Sequence, residues 1–343
     1  MKLYEIYELA VRLGIEKDVR GQEEINRILE KNRREFERKT DQESTFFDRE
    51  TLTNPFSDTR ILYGTGQEEI TSIFCGIDME TPEIILADRL REKGRKIDLV
   101  MAHHPEGIAQ AALFGVMELQ ADLLLRAGIP INVAEGIMDS RISEVRRNMM
   151  SFNHQRAVEA ARLLDIPFMC VHTPADNLVN DYLQRYIDDR NPCYLEELLE
   201  VLLEIPEYHE AKRLKAGPEL VVGDKKKRAG RVLVDMTGGT SGSADMYEKL
   251  AAAGVGTVIR MHLTEKHREE ARKHHINIVV AGHMASDSLG MNLFLDRLEQ
   301  RGITIIPASG LIRHRRVQNH GNEGDSGNPG PDGQLGGVPG SDR

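Results

Sequence analysis

Short β-rich runs alternate with helical stretches from about residue 66 to residue 307, and this alternation constrains the fold more than any other feature of the sequence. The run "ITSIFCGID" (70–78), for example, is followed by the helical stretch "PEIILADRLREKG" (82–94). Strands and helices in turn, joined by short connections, are typical of α/β folds with largely parallel sheets. The further β-rich runs are 97–105, 129–135, 166–176, 231–243, 256–262, 276–287 and 303–307. We therefore predict an α/β protein with mixed or parallel sheets.

The same pattern divides the chain into segments. They are a helical N-terminal extension (1–65), a first α/β lobe (66–185), a helical and acidic connection (186–216), a second α/β lobe (217–315) and a Gly-rich tail (316–343). The two lobes are predicted to share a metal site, although no residue-level repeat relates them. The tail has glycine at every third position from Gly321 to Gly336. Because a collagen helix needs a sustained repeat, so short a run predicts a disordered tail.

Composition excludes several classes of partner. The 343 residues carry a formal net charge of −10 and no tryptophan, whereas nucleic-acid binding relies on clustered cations and aromatic stacking. No apolar run approaches the roughly 18 residues that a membrane span needs, and the N-terminus lacks a signal-peptide core. Cys75, Cys170 and Cys193 show no CxxC spacing and are expected to be reduced thiols. We expect a cytoplasmic protein that binds neither nucleic acid nor membrane.

Five of the twelve histidines directly follow β-rich runs. They are His103, His104, His172, His262 and His283. One histidine at a strand end is usually a capping or core residue, but ligands of α/β proteins bind outside the carboxyl ends of the strands. Five histidines at the same kind of position therefore favour a shared ligand site. Neighbours in an extended stretch point to opposite sides, so His103 and His104 either serve two ions or one of them supports the other's ion.

Two aspartates strengthen the prediction of a metal site. Asp176 and Asp287 each stand four residues after one of these histidines, a separation that places two side chains on one face of a helix. Imidazole and carboxylate ligands without thiolate suit Zn, Mn, Fe, Ni or Co. A carboxylate that bridges two ions is a standard device of two-metal sites.

A Gly-rich turn follows the β-rich run that begins at residue 231. Its central residues are Gly238, Gly239, Thr240, Ser241 and Gly242. The turn matches neither a Walker loop, a dinucleotide fingerprint nor a nucleophile elbow. Two interpretations stay open: it presents backbone N–H groups to a substrate phosphate or carboxylate, or it is a tight turn that needs glycine.

Together, these residues resemble the NGG-one-interacting-factor-three-like family, whose members are labelled GTP cyclohydrolase type-two homologues. The matching stretches lie in the family's order between about residues 70 and 292: "GIDMETPEIILADRL", "DLVMAHHP", "VHTPAD", "TGGTSGS" and "VVAGHMASDSLG". The resemblance implies two-lobed α/β subunits that assemble into a toroidal homohexamer, each with a dinuclear metal site. It implies Asp176 and Asp287 as bridging carboxylates, and as the full ligand set His103, His104, Asp176, His283 and Asp287.

The sequence departs from the family's pattern in three places. Glutamate usually stands where this chain has Asp287, and the shorter side chain is expected to alter metal spacing or identity. The stretch "RMHLTEKH" replaces the family's "tGD"-like stretch, which makes His262 a candidate additional or replacement ligand. Residues 1–65 have no counterpart and are expected to modify assembly or to cover the site.

Two functions fit these observations. A metal-dependent hydrolase would bind two divalent ions, hold a nucleotide-like or phosphorylated small molecule at the Gly-rich turn, and use His172, His262 or Glu106 as proton carrier. A non-catalytic metal-handling or scaffold protein would bind metal without turnover. The absence of a unique nucleophile or clear base in the sequence is an argument for the second function. The hydrolase nevertheless stands slightly ahead, and whether the chain is an enzyme stays open at this stage.

Overall fold

Two sheets carry the strand ends at which the sequence places its histidines. The structure is a computed structural model and describes residues 1–316. The strands are β1 (Arg60–Tyr63), β2 (Ser72–Gly76), β3 (Leu99–Ala102), β4 (Phe168–Cys170), β5 (Glu219–Val222), β6 (Arg231–Asp235), β7 (Val255–Arg260), β8 (Asn277–Val280) and β9 (Thr304–Pro307). The helices of the first half are α1 (Leu3–Glu16), α2 (Gly21–Glu37), α3 (Asp41–Ser44), α4 (Thr81–Glu92), α5 (Gly107–Ala111), α6 (Leu119–Arg126), α7 (Ile131–Met149) and α8 (Arg156–Leu163). Those of the second half are α9 (Thr173–Arg190), α10 (Leu195–Leu203), α11 (Pro206–Arg213), α12 (Met246–Ala252), α13 (Glu265–Lys273) and α14 (His283–Glu299). The predicted α/β class with mixed sheets and N-terminal helices is confirmed.

The first sheet has the strand order β1-β4-β3-β2-β9. Its neighbours are parallel except for β1, which runs antiparallel to β4. Every residue of β2 and β3 is buried, as expected for strands of a parallel sheet that is covered on both faces. The final strand β9 returns to this sheet and pairs with β2, although it belongs to the predicted second lobe (217–315). Ile303 and Ile305 bury their side chains in the core of the first sheet, which explains the return.

The second sheet has the order β5-β8-β7-β6, and its single antiparallel pair within residues 1–316 is β5 with β8. Both sheets therefore have one antiparallel edge strand, which lies beside four parallel strands in the first sheet and three in the second. In each, a long helix follows the strand next to that edge: α9 follows β4, and α14 follows β8. The two sheets share an arrangement that no residue-level repeat in the sequence reveals.

The helices α9 and α14 pack directly against each other between the two sheets. The approach is closest at Gly290 of α14, where an added Cβ would overlap the backbone carbonyl of Ala175 in α9. Ala175 precedes Asp176, and Gly290 lies one helical turn after Asp287. The glycine thus allows the two aspartate-bearing turns to lie side by side.

The N-terminal segment joins the first sheet rather than standing apart from it. Helix α1 buries Leu3, Ile6 and Ala10 and packs on α9, whereas α2 buries Ile25 alone. Strand β1 begins at Arg60, inside the predicted helical extension (1–65). The last residues of that extension therefore supply the edge strand of the first sheet.

One predicted β-rich run is wrong. Residues 129–135 contain the start of α7, which begins at Ile131 directly after Pro130. The buried residues of this helix are Ala134, Met138 and Val145. Their spacing of four and seven is that of a helical stripe, and burial of that stripe outweighs the local β-branched residues.

Three further expectations concern the chain as a whole. Cys75 and Cys170 are buried free thiols, and Cys193 is an exposed one. No helix within residues 1–316 combines the length and the apolarity required to cross a membrane. The predicted disordered tail (316–343) lies, apart from Arg316, outside the described residues.

Candidate metal centre

His103 and His104 stand where β3 ends, and the neighbouring strand fixes their backbone. The N–H of His103 donates to the carbonyl of Gly76 (3.0 Å), and the N–H of His104 donates to that of Ile77 (3.0 Å). These bonds continue the parallel pairing of β2 and β3 past the end of both strands. The two imidazoles therefore leave the sheet at its carboxyl edge, where their ring centres lie 5.3 Å apart.

Four further candidate ligands lie at the starts of helices α9 and α14, which pack against each other. His172 caps α9 and Asp176 follows one turn later, with His172 Nε2 3.9 Å from Asp176 Oδ2. His283 is the first residue of α14, and its Nε2 lies 3.5 Å from Oδ2 of Asp287. Each four-residue separation thus places an imidazole and a carboxylate on one helix face. Packing of α9 against α14 then brings both pairs to His103 and His104.

Several atoms at the centre are buried without hydrogen-bond partners within the described residues. They are His103 Nε2, Asp176 Oδ1 and both carboxylate oxygens of Asp287. His103 Nε2 lies 3.5 Å from Asp176 Oδ1 and 3.5 Å from Asp287 Oδ1. Buried polar atoms are nearly always partnered, because an unmade hydrogen bond leaves the desolvation cost uncompensated. The convergence of lone pairs from imidazole and carboxylate fits a divalent cation, and these groups could hold a metal ion.

Asp287 faces two different sets of imidazoles. Its Oδ1 is directed at His103, whereas its Oδ2 lies 3.4 Å from His104 Nε2 and 3.5 Å from His283 Nε2. The side chain is almost entirely buried. One carboxylate therefore links the ligand atoms of both helices and of β3.

Hydrogen bonds on the outer side orient three of the imidazoles. Asp78 Oδ1 lies 2.6 Å from His104 Nδ1, Asp58 Oδ2 lies 2.8 Å from His172 Nδ1, and the carbonyl of Val171 lies 3.0 Å from His103 Nδ1. A partner at Nδ1 keeps the proton there and directs the Nε2 lone pair inward, which is the usual support of a metal-binding histidine. Thr173 Oγ1 also donates to Asp58, which holds that carboxylate in place.

Burial sets the direction of the pKa shifts of Asp176 and His283, whereas at His104 the hydrogen bonds to Asp287 and Asp78 outweigh burial and raise the pKa to about 10. Burial, with the nearby charge of Asp287, raises the pKa of Asp176 to about 8. Burial also lowers the pKa of His283 to about 4. Both shifts disfavour the charged forms of groups that are crowded in a space with little solvent. A bound cation would relieve the repulsion between the two buried carboxylates.

The Gly-rich turn forms the wall of a small polar cavity beside this centre. The cavity has a volume of about 50 Å³, and Gly239, Thr240 and Ser241 line it together with Asp176 and Asp287. A larger cleft of about 620 Å³ shares His262 and His283 with it. Gln120 donates to the carbonyls of Gly238 and Thr240, and Gly242 packs on the Gln120 side chain. The turn is thus fixed from behind by α6.

The three predicted proton carriers lie in different surroundings. His172 stands among the candidate ligands, with its Nδ1 engaged by Asp58. His262 is exposed at the mouth of the cavity, its ring centre 4.9 Å from that of His283 and its Nδ1 3.4 Å from Ser241 Oγ. Glu106 caps α5 and lines neither the cavity nor the cleft, and burial raises its pKa to about 7. The structure therefore brings His172 and His262 to the centre but leaves Glu106 outside it.

Sequence reasoning missed three residues of this region. Asp58 lies in the loop "NPFSD" and carried no signal, because nothing in the sequence indicates that this loop meets His172. Asp78 follows β2 and Arg260 ends β7, so both stand at the carboxyl edge of a strand. The rule that ligands bind outside the carboxyl ends of strands selected the histidines. Applied to every charged residue, the same rule also selects Asp78 and Arg260.

The fold and the centre define an α/β protein whose buried His/Asp group could hold a metal. No protein-family model and no curated protein matches the sequence. Solved structures do match. The chain is similar to a NIF3 superfamily protein from Sphaerobacter thermophilus, with 25% identity, a TM-score of 0.66, and coverage of 76% of this chain and 94% of that one. It also matches reduced HcgD from Methanocaldococcus jannaschii, with 17% identity, a TM-score of 0.47, and coverage of 72% and 87%.

The chain is thus similar in fold and in sequence to a NIF3 superfamily protein, which confirms the resemblance to the NGG-one-interacting-factor-three-like family.

Proposed function

We propose that the chain is a dinuclear metal-dependent hydrolase that acts on a nucleotide-like or phosphorylated small molecule. The observation that carries the proposal is the position of Asp287, whose two buried oxygens face His103 on one side and His104 with His283 on the other. A carboxylate between two sets of nitrogen ligands is the arrangement of a two-metal site. Zn, Mn, Fe, Ni and Co all suit such ligands.

Two overlapping sets of residues would hold the ions. His103, Asp176 and Asp287 form one set, in which His172 is a further candidate ligand. His104, His283 and Asp287 form the other. When bound, two such ions would supply Lewis acidity. They would also lower the pKa of a water molecule, so that hydroxide is available near neutral pH.

The chain's own residues would position the substrate and carry protons. Asp58 and Asp78 hold the imidazoles in place, and the N–H groups of the Gly-rich turn face a substrate anion. Among the predicted proton carriers, His262 is best placed, because it is exposed at the cavity mouth and contacts Ser241. His172 is less suited to moving protons, because both of its nitrogens face carboxylates, Asp58 and Asp176.

A non-catalytic metal-handling or scaffold protein is the second candidate. The small volume of the inner cavity, about 50 Å³, favours it, because that space alone does not admit a nucleotide. Such a protein would bind metal and show no turnover with any substrate. Assembly as a toroidal homohexamer stays a proposal that rests on the family resemblance, and light scattering of the purified protein tests it. Residence in the cytoplasm stays a proposal that rests on the sequence pattern alone.

A turnover assay separates the two candidates. Purified wild-type protein of measured metal content is assayed against nucleotides, phosphoesters and amides beside His104→Ala and His274→Ala, a control at a half-buried histidine outside the candidate centre. The proposal predicts steady turnover that His104→Ala abolishes and His274→Ala leaves unchanged. Absence of turnover across the whole panel, with metal bound, would contradict the hydrolase and leave the metal-handling function.

A further inference from the structure

A buried guanidinium lies in the wall of the inner cavity. Arg260 is the last residue of β7 and is 5% exposed. It lines the cavity together with Asp235, the last residue of β6, and with the Gly-rich turn. Neither Arg260 nor Asp235 contributes to the candidate metal centre, whose ligands come from the other strand ends.

Three groups hold the guanidinium in a single orientation. Nε lies 3.1 Å from Asp235 Oδ2, and Nη1 donates to Tyr247 Oη (3.1 Å) and to His267 Nδ1 (2.6 Å). Nη2 has no hydrogen-bond partner within residues 1–316. Since Arg260 lines the cavity, Nη2 is the part of the guanidinium that is free to donate to an acceptor supplied by a ligand.

The backbone of the Gly-rich turn offers further donors to the same cavity. Its carbonyls are engaged from behind: Gln120 binds those of Gly238 and Thr240, and Arg141 binds that of Ser241 (2.9 Å). The N–H groups of Gly239 and Ser241 make no hydrogen bond to any residue that the structure describes. Gly239 has a φ of +85°, a conformation that glycine adopts without strain. Backbone N–H groups in such turns commonly bind anions.

The sizes of the two spaces indicate which part of a substrate binds here. The inner cavity of about 50 Å³ has room for a phosphate-sized group, whereas the cleft of about 620 Å³ has the volume of an ordinary small-molecule site. Lys215 and Arg268 line that cleft. The N–H bonds of Nη2 can donate charge-assisted hydrogen bonds to the oxygens of such a phosphate.

We propose that Arg260, together with the N–H groups of Gly239 and Ser241, binds a terminal phosphate of the substrate next to the metal centre. The inference rests on the proposed function and narrows its substrate class to phosphomonoesters whose remaining part occupies the outer cleft. Asp235 and His267 are positioning residues, because they act by holding Arg260.

Calorimetric titration with inorganic phosphate tests this assignment without any turnover. Full-length wild-type protein as purified is compared with Arg260→Gln and with Arg272→Gln, which removes the same charge from an exposed position on α13. We expect Arg260→Gln to weaken phosphate binding about ten- to a hundredfold, as for loss of a charged hydrogen-bonding group. We expect Arg272→Gln to bind as the wild type does. Equal affinities of the two variants, or no binding by the wild type, would overturn the proposal.

Two controls keep the comparison interpretable. Metal content is measured in every sample, so that a loss of ions is not mistaken for a loss of the arginine. If Arg260→Gln fails to fold, Arg260→Lys replaces it, because it keeps the charge near Asp235 and loses the Nη2 donors. In the wild type, ¹⁵N-glycine labelling provides an independent readout. The Gly239 amide signal should shift as phosphate is added, and an unshifted signal would contradict the proposal.

Phosphate binding and substrate turnover can fail independently, so the experiments distinguish failure of the anion site from failure of the hydrolase. Phosphate binding that depends on Arg260, without turnover of any substrate, would contradict the hydrolase and leave the anion site standing. Turnover of phosphomonoesters with an unchanged KM in Arg260→Gln would contradict the anion site and leave the hydrolase standing.

Discussion

The carboxylate of Asp287 joins the two halves of the candidate metal centre, because each of its oxygens faces a different set of imidazoles. Because the side chain of aspartate is short, the packing of α14 has to bring its backbone close to His103 and His104. Burial of the side chain leaves a cation as the natural partner for its charge. Single residues therefore decide whether this site binds metal.

Asp78 is not a candidate ligand, and its substitution tests how much the orientation of His104 contributes to metal affinity. Its Oδ1 lies 2.6 Å from His104 Nδ1, and the residue is exposed. We expect Asp78→Ala to keep the fold but to lower metal affinity about 10- to 100-fold, as for other residues that orient metal-bound histidines. Competition with a chromophoric chelator measures the change, with Asp189→Ala at an exposed position of α9 as control. Equal affinities of the two variants would show that Asp78 does not orient His104.

His267 predicts a pH dependence of stability that does not involve the metal centre. Burial and the charge of Arg260 lower the pKa of His267 from 6.5 to about 3. Below pH 6.5, His267 therefore binds a proton in the unfolded chain but not in the native protein. The stability that the neutral ring supports is complete above pH 6.5 and is lost as the pH falls towards 3.

His267→Gln should remove this dependence. Glutamine still offers Arg260 an acceptor but does not titrate. Between pH 8 and pH 5, the free energy of unfolding of the wild type should fall by about 2 kcal/mol more than that of the variant. Chemical denaturation at both pH values measures it, beside His209→Gln at an exposed position of α11. A wild type and a His267→Gln variant with parallel pH profiles would contradict the assigned cause.

At the level of elements, strand ends and helix starts position the site. The sequence predicts these well, because a buried strand is an apolar run and the polar residue after it marks its end. It predicts neither the pairing of α9 with α14 nor the contact of the loop at Asp58 with His172, since both depend on how distant elements pack. The predicted strand at 129–135 is wrong because the run is too short to show its period. The buried stripe of α7 becomes visible only over the residues that follow the run.

The close contact of α9 with α14 is testable at Gly290. Gly290→Ala places a methyl group against the carbonyl of Ala175, so we expect a loss of about 1–3 kcal/mol in the free energy of unfolding. Because Asp176 follows that carbonyl, metal content should fall as well. Gly136→Ala in α7 is the matched control, since its added Cβ meets nothing within 4 Å, and it should be neutral or stabilising. Equal stability of the two variants would show that the helices are not in close contact.

At the scale of the whole molecule, two sheets lie on either side of one site, and each has a single antiparallel edge strand beside its parallel strands. The first contributes His103, His104 and α9, and the second contributes α14 together with the Gly-rich turn. The chain also links the two sheets a second time, because β9 follows α14 and pairs with β2 of the first sheet. A centre built from both halves should therefore lose its metal when either half is altered.

Elemental analysis of the purified protein tests this claim most directly. Wild-type protein is compared with His103→Ala from the first half, Asp287→Ala from the second, and His274→Ala as a control outside the candidate centre. We predict about two metal equivalents per chain in the wild type and in the control, and a clear fall in both site variants. Metal content that stays at the wild-type level in both His103→Ala and Asp287→Ala would contradict a shared metal centre.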